Sequence, residues 1–263
     1  MPEMPRELRE ALRSVRSVGV ITGAGISVES GIPSYRGKGG IYDDPEEGDR
    51  TVEALSAPTL HSDPQRTWKV MATLGRQAQA AEPNKGHHAL VNIEATVERF
   101  TLLTQNVDGL HQRAGSTNII DIHGGMDQLY CMKCALPAAA QDFKTVINSL
   151  KGIPRCECGG VLRPDVVLFG EMLSAKKLER MNEAFYQNTP DLVMVVGTSA
   201  MFPYIVEPVL FAHRRGKLTI EVNPQPVLAN GVGFVLAGSA GAYLPQVAAA
   251  LSGKPVEPNE MGN

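Results

Sequence analysis

The segment Val18-Gly-Val-Ile-Thr22 is apolar at nearly every position and runs directly into the glycine turn Gly23-Ala-Gly25. An apolar run without alternation reads as a strand buried on both faces, which requires helices above and below a mainly parallel sheet. The chain is therefore expected to be α/β. Similar runs return at Phe100-Thr-Leu-Leu-Thr104, Val166-Val-Leu-Phe169, Leu192-Val-Met-Val-Val196, Leu218-Thr-Ile-Glu-Val222 and Gly233-Phe-Val-Leu236. Several of them end against polar or glycine-rich residues: Gly23-Ala-Gly25, Gln105-Asn106, Gly197-Thr-Ser199 and Asn223-Pro224. Open α/β sheets hold ligands at the carboxyl ends of their strands.

Two stretches interrupt this pattern. Residues 34–83 read as loops and helices, with Trp68, Val70, Met71 and Leu74 spaced to share one helical face. Residues 129–163 hold all four cysteines and little apolar content, so they are expected to need a metal to hold together. A helix is expected at 7–14 and another at 244–251, before a polar tail. A chain of 263 residues can bury one substantial core and carry a small accessory module. Its 25 basic against 28 acidic residues supply no overall attraction to nucleic acid, and Lys176-Lys177 and Arg214-Arg215 read as solvated charge. No apolar stretch approaches the roughly 20 residues that cross a bilayer. The start, MPEMPRELREALRSV, lacks the apolar core of a secretory peptide, so a cytoplasmic location is expected.

Four constellations carry chemistry. In the first, Gly23 and Gly25 let the backbone turn tightly and approach a pyrophosphate, whose charge is met by N–H groups of a following helix. Val28 stands where the usual dinucleotide fingerprint has a third glycine, which weakens the case for a hydride-transferring dehydrogenase. Taken alone, the segment also fits an ordinary strand-to-helix turn. Behind it, Tyr35 can shield a reactive centre and Arg36 can steer an anionic group, unless the pair merely packs a lid. The second is the loop Gln105-Asn106-Val107-Asp108, whose amides can recognise a carboxamide and whose carboxylate can receive a ribose hydroxyl. The neighbouring His111 fits packing as well as titration.

Third, His123 precedes two glycines, which leave room around a ring of near-neutral reference pKa and suit it to general-base work; in isolation a solvent-exposed or merely hydrogen-bonded histidine is the better reading, and its place after the amide-rich loop gives the base reading its weight. The other four histidines, His61, His87, His88 and His213, read as surface, capping or packing groups. Fourth, Cys131-x-x-Cys134 with Cys156-x-Cys158 suits a tetrahedral, structural Zn2+ with no open position; the single spacer in the second pair is tighter than the common gap. A redox pair is the rival reading, without a strand-to-helix context to support it.

Taken together and in order, GAGISVESGIPSYRG (23–37), TQNVDGLHQRAG (104–115), HGG (123–125), the paired cysteines, LRPDVVLFGE (162–171), GTSA (197–200) and VNP (222–224) resemble the sirtuin family of NAD-dependent protein deacylases. The resemblance implies a Rossmann-like NAD-binding domain with a parallel sheet (1–35 with 84–128 and 164–254), a helical module (36–83), a small zinc-binding domain (129–163) and a flexible tail (255–263). It implies that NAD is a consumed cosubstrate, contacted by Gly23, Ala24, Gly25, Ile26, Ser27, Tyr35, Arg36, Gln105, Asn106, Val107 and Asp108. Gly197, Thr198, Ser199, Asn223, Pro224, Gln225 and Ala240 are implied on the adenosine side. His123, Asn106 and Asp108 are the implied catalytic residues. Phe169, Gly170 and Glu171 are the implied edge for an acyl-lysine protein or peptide, and Cys131, Cys134, Cys156 and Cys158 the implied zinc ligands.

The implied reaction begins with attack of the acyl oxygen on ribose C1′ as nicotinamide leaves, and ends in free lysine and O-acyl-ADP-ribose. Two positions depart from the family pattern. Ser34 stands where many members have Asp, and the segment 66–76 lacks the Tyr-x-x-Arg pair of members specialised for succinyl or malonyl lysine. Met71 and Leu74 near the expected position favour an uncharged acyl group, unless a shifted register brings Lys69 or Arg76 into play. Deacetylation is therefore the expected activity. Deacylation of longer neutral chains, ADP-ribosyl transfer or NAD hydrolysis, and a non-enzymatic NAD-sensing module stand as alternatives.

Overall fold

The computed structural model describes residues 3–34, 40, 44–138, 142–149 and 152–253. Tyr35 and Arg36 lie outside the described residues, as does the tail. Six strands form the central sheet: β1 (Ser17–Thr22), β2 (Arg99–Thr104), β3 (Ile119–Asp121), β6 (Leu192–Val196), β7 (Leu218–Val222) and β8 (Phe234–Leu236). Their order is β3-β2-β1-β6-β7-β8, with every pair parallel. Strand order reverses between β1 and β6, the switch point at which the loops leaving the two strands diverge. In register, Thr22 lies opposite both Thr104 and Val196, so the loops that follow β1, β2 and β6 start at one level.

Helices α1 (Arg6–Leu12), α5 (Lys85–Thr96) and α10 (Ala240–Ser252) cover one face. Leu8, Leu90, Ile93, Leu244 and Val247 meet Val18, Val20, Leu102 and Met194 there. On the other face lie α8 (Ala175–Asn182), a π-helical turn (Glu183–Gln187) and α9 (Pro203–Arg214), which pack Phe185, Ile205 and Val209 against Ile21, Leu103 and Val193. Alternate residues of β1 thus enter different cores, and the absence of alternation in its sequence follows. Gly19 makes room for the Phe185 ring: a Cβ at that position would lie 2.7 Å from it. Each fully buried Leu or Ile contributes on the order of 1.5–3 kcal/mol.

The helical insertion comprises α2 (Pro45–Ala54), α3 (Ala57–Ser62) and α4 (Pro64–Ala80). Asp44, Ser56 and Asp63 cap them with side-chain oxygens, and each helix carries proline in its first two positions, where no N–H is missed. Trp68 and Met71 are buried, as their helical spacing predicts. The cysteine-bearing insertion consists of β4 (Gly124–Cys131) antiparallel to β5 (Leu162–Val166), with α7 (Phe143–Asn148) between them. Its apolar poverty is offset from outside. The Trp68 ring stacks on Phe143 at 6.0 Å and donates its indole N–H to the Leu162 carbonyl at 2.8 Å, joining the two insertions in one small core.

One expectation needs correction. The run Val166-Val-Leu-Phe169 is not a strand of the main sheet: β5 ends at Val166, and Phe169 instead bridges to Ser56 between α2 and α3. Four apolar residues fit a strand or a buried loop equally, and here the hydrogen-bond partners decide. The helix expected after the first glycine turn is present as a 3-10 helix, Ala24–Ser30, ending at Gly31 with φ +84. Among the described residues, no helix is long and apolar enough to cross a membrane.

Candidate active site

Gly25 donates its N–H to the Gly197 carbonyl at 2.7 Å, closing the loops after β1 and β6 against each other. A Cβ on Gly25 would sit 2.6 Å from that oxygen, and one on Gly197, at φ +57, only 2.5 Å from the Ile26 nitrogen. Both glycines are therefore demanded by backbone contact, quite apart from any ligand. Ile26 and Ser27 are fully buried behind them.

The polar residues meet in one network. Ser27 donates to Asp108 at 2.7 Å, and Asn106 donates its amide to the Gly23 carbonyl at 3.2 Å and to the Ser27 hydroxyl at 3.3 Å. Gln105 donates to Thr198 at 3.0 Å, and Asn223 to the Thr198 carbonyl at 2.9 Å. Asn223 in turn accepts from the Gln225 N–H at 3.1 Å, next to exposed Pro224. Burial pushes the Asp108 carboxyl up, against the lowering effect of the Leu110 N–H and the Ser27 hydroxyl. The carboxylate, two amides and hydroxyls fit the carboxamide, ribose and phosphate groups of a dinucleotide.

His123 closes the cluster. Its Nδ1 lies 3.0 Å from the Gln105 carbonyl, which can only accept, so Nδ1 carries the proton and the neutral ring has its lone pair on Nε2. Gly124 follows at φ +84, where any Cβ would strike the Asp165 carbonyl, and the Val167 N–H donates to the His123 carbonyl at 2.8 Å. Burial holds the imidazole below its ordinary pKa; the Gln105 carbonyl opposes this and Lys177 adds to it. A neutral base with an oriented lone pair results.

Sequence patterns did not mark Tyr204, whose hydroxyl lies 2.7 Å from His123 Nε2, nor Phe202, whose ring stacks on Tyr204 at 5.4 Å. Their only signal is an aromatic pair closing the loop after β6. Elsewhere, Val107 and Ser199 lie in the converging loops, while Ala240 is buried at the start of α10 in the main core. Of the expected peptide edge, Phe169 exposes its ring, but its backbone is engaged with Leu55 and Ala57 at 3.0 Å each. Glu171 is drawn back onto Arg163 at 2.8 Å and accepts the Leu168 N–H at 2.8 Å. Gly170, at φ +86, is exposed between them.

His111, on α6 (Leu110–Ala114), supports the site from beneath. Thr22 donates to Thr104 at 2.9 Å, so its oxygen accepts from His111 Nε2 at 3.0 Å, and Thr104 accepts the Asn106 N–H at 3.1 Å. Beside it, His87 completes the cap of α5 with Asn84. Burial depresses His111 to about 3 and His87 to about 4 from 6.5. Well above pH 6.5 both rings are neutral whether the chain is folded or not. Below it the unfolded chain binds protons that the folded one refuses, so stability is lost as pH falls toward the folded values. Each ring is expected to cost about 2 kcal/mol by pH 5. A urea midpoint that holds steady between pH 6.5 and 5 would contradict this.

The four cysteine sulfurs form a separate cluster, all within 4.8 Å of one another. Cys131 and Cys158 sulfurs lie 3.5 Å apart and those of Cys134 and Cys156 3.9 Å apart. A tetrahedral Zn2+ with Zn–S bonds of about 2.3 Å needs sulfurs about 3.8 Å apart, so the donor set fits. The N–H groups of Lys133 and Cys134 point at the Cys131 sulfur, at 3.3 and 3.5 Å, which favours its thiolate form.

The model of the Sir2 family matches residues 23–203. NAD-dependent protein deacylase 2 of Pseudomonas aeruginosa is 44% identical over 245 residues, covering 90% of this chain and 93% of its own. NAD-dependent protein deacylase 1 of Archaeoglobus fulgidus is 34% identical over 247 residues, covering 93% and 96%. Among solved structures, a Sir2 homologue–NAD complex matches with TM-score 0.82 at 33% identity, over 95% of this chain and 94% of that one. A Sir2 variant with a deacetylated p53 peptide and 3′-O-acetyl ADP-ribose matches with TM-score 0.81 at 27% identity, over 95% and 99%.

Proposed function

The chain belongs to the Sir2 family of NAD-dependent protein deacylases, and from that premise we propose that it deacetylates protein lysines, releasing nicotinamide, free lysine and O-acetyl-ADP-ribose. The observation that carries this reading is the neutral His123, its tautomer set by Gln105, in the same loop cluster as Asn106 and Asp108. NAD supplies an activated glycosidic bond whose nicotinamide leaves as the acyl oxygen attacks. In this reading Gln105, Asn106, Val107 and Asp108 orient nicotinamide and its ribose, and His123 takes a ribose hydroxyl proton. Residues 23–27, Tyr35, Arg36, Gly197, Thr198, Ser199, Asn223, Pro224, Gln225 and Ala240 hold the dinucleotide. Phe169 and Gly170 face the acyl-lysine peptide, while Glu171 keeps their loop in place. Cys131, Cys134, Cys156 and Cys158 hold a structural zinc ion. We place the work in the cytoplasm and assign no nucleic-acid partner.

Acetyl is favoured because of where the cations sit. Lys69 and Arg76 line a cleft of about 620 Å³ between α4 and α7, and Arg76 donates to the Ile147 carbonyl at 3.0 Å. Met71 packs instead with Leu55, Leu60 and Leu168, directly before the exposed Phe169. Arg163 beside this loop is already paired with Glu171, so an acidic acyl group entering there would lose water without gaining an unpaired cation from these residues, at a cost of several kcal/mol. The purified protein is expected to use acetyl and butyryl peptides at least about 100-fold better in kcat/KM than the succinyl peptide. Mass spectrometry of the NAD products checks this: ADP-ribose attached to protein without peptide turnover would favour transferase chemistry, and a preferred succinyl peptide would overturn the acyl assignment.

A further inference from the structure

We propose that Tyr204 is a positioning residue for His123, whose hydroxyl fixes the base with its Nε2 lone pair covered and yields that lone pair to a substrate hydroxyl. The hydrogen bond follows from the donor inventory. With Nδ1 donating to Gln105, Nε2 of the neutral ring can only accept, and the phenol at 2.7 Å is its donor. One nitrogen lone pair serves one strong hydrogen bond at a time. An incoming hydroxyl must therefore displace the phenol before His123 can take its proton.

The surroundings hold Tyr204 to this task. Pro203 sets the first position of α9, and the Tyr204 ring stacks on Phe202 with 17° between planes. Both rings stand edge-on to the imidazole, at 81° and 85°. The loop that delivers them begins at Thr198, whose hydroxyl accepts from Gln105 and from the Ala200 N–H, with Ala200 at φ +52. The same short loop thus carries residues of the dinucleotide network and the group that covers the base. Burial pushes the Tyr204 phenol up to about 12 and His123 down, so the proton of the pair stays on oxygen. The charge acting on the imidazole is that of Lys177 on α8, which is itself paired with Asp121 on β3 at 3.2 Å.

The kinetic half of this role rests on His123 acting as the deacylation base; the hydrogen bond does not. Tyr204→Phe keeps the ring and its stack and removes only the donor. Because a phenol donates more strongly than it accepts, its hydroxyl favours neutral imidazole over imidazolium, and an NMR titration of His123 in the ligand-free variant is expected to give a pKa about half to one unit higher than in wild type. The acid limb of kcat/KM for NAD should move up in pH by the same amount, while the plateau above it rises because nothing competes for Nε2. Phe202→Leu, which keeps the hydroxyl but loosens the stack, should shift His123 in the same direction by less. A loss of activity equal at every pH, with no shift of the limb, would reduce Tyr204 to a packing residue. Identical His123 titrations in wild type and Tyr204→Phe would overturn the proposal. A shifted titration in a protein that turns over no acyl peptide would leave the contact standing and reject the deacylase reading instead.

Discussion

Replacing His123 with alanine is expected to lower acyl-dependent nicotinamide release by about 10²–10⁴-fold, the range a positioned general base supplies, while NAD affinity changes little. The separation follows from the hydrogen bonds. His123 joins the cluster through the Gln105 carbonyl, whereas the Gln105 side chain is held independently by Thr198. Asn106, Ser27 and Asp108 bond among themselves without it. Losing the imidazole therefore removes the base and leaves the dinucleotide groups in place. Equilibrium NAD binding measured beside single-turnover peptide assays tests both halves. Equal turnover in folded wild type and variant would remove His123 from the mechanism.

The second large effect is expected at the cysteines. Cys131→Ala, or a strong chelator, should strip the zinc and unfold the module between β4 and β5, since structural zinc supplies on the order of 10–16 kcal/mol in small metal-folded domains. Trp68 makes the change visible. It is the only tryptophan, it is 1% exposed, and its partners Leu162 and Phe143 both belong to that module. Its emission should shift to the red as metal content falls, while the far-UV signal of the main sheet persists. Unchanged emission in the metal-free protein would mean that the shared apolar core holds the module alone.

The central strands were legible because burial on both faces leaves a mark in consecutive residues: Leu192–Val196 is buried at every position. β3 has three residues and β4 begins with two glycines, too little side chain to carry a pattern, and neither was expected. The run ending at Phe169 reads as a strand in sequence because the backbone partners of Phe169, Leu55 and Ala57, lie more than 100 positions earlier, and Val167 pairs instead with His123. The same limit applies to the candidate site. The loop Gln105–Asp108 and His123 stood out by composition, but Tyr204 sits 81 residues from the ring it covers.

From its sequence alone this chain was bound to an α/β sheet with helices on both faces and to a four-thiolate cluster, because strand burial and ligand spacing are local patterns written in adjacent residues. The tertiary structure decided which nitrogen of His123 bears the proton, that Tyr204 covers the other, and that Trp68 joins the two insertions. Those outcomes depend on the parallel register that sets Thr22 beside Thr104 and Val196. Contacts between distant residues are selected by packing of the whole chain, and no short window of sequence contains them.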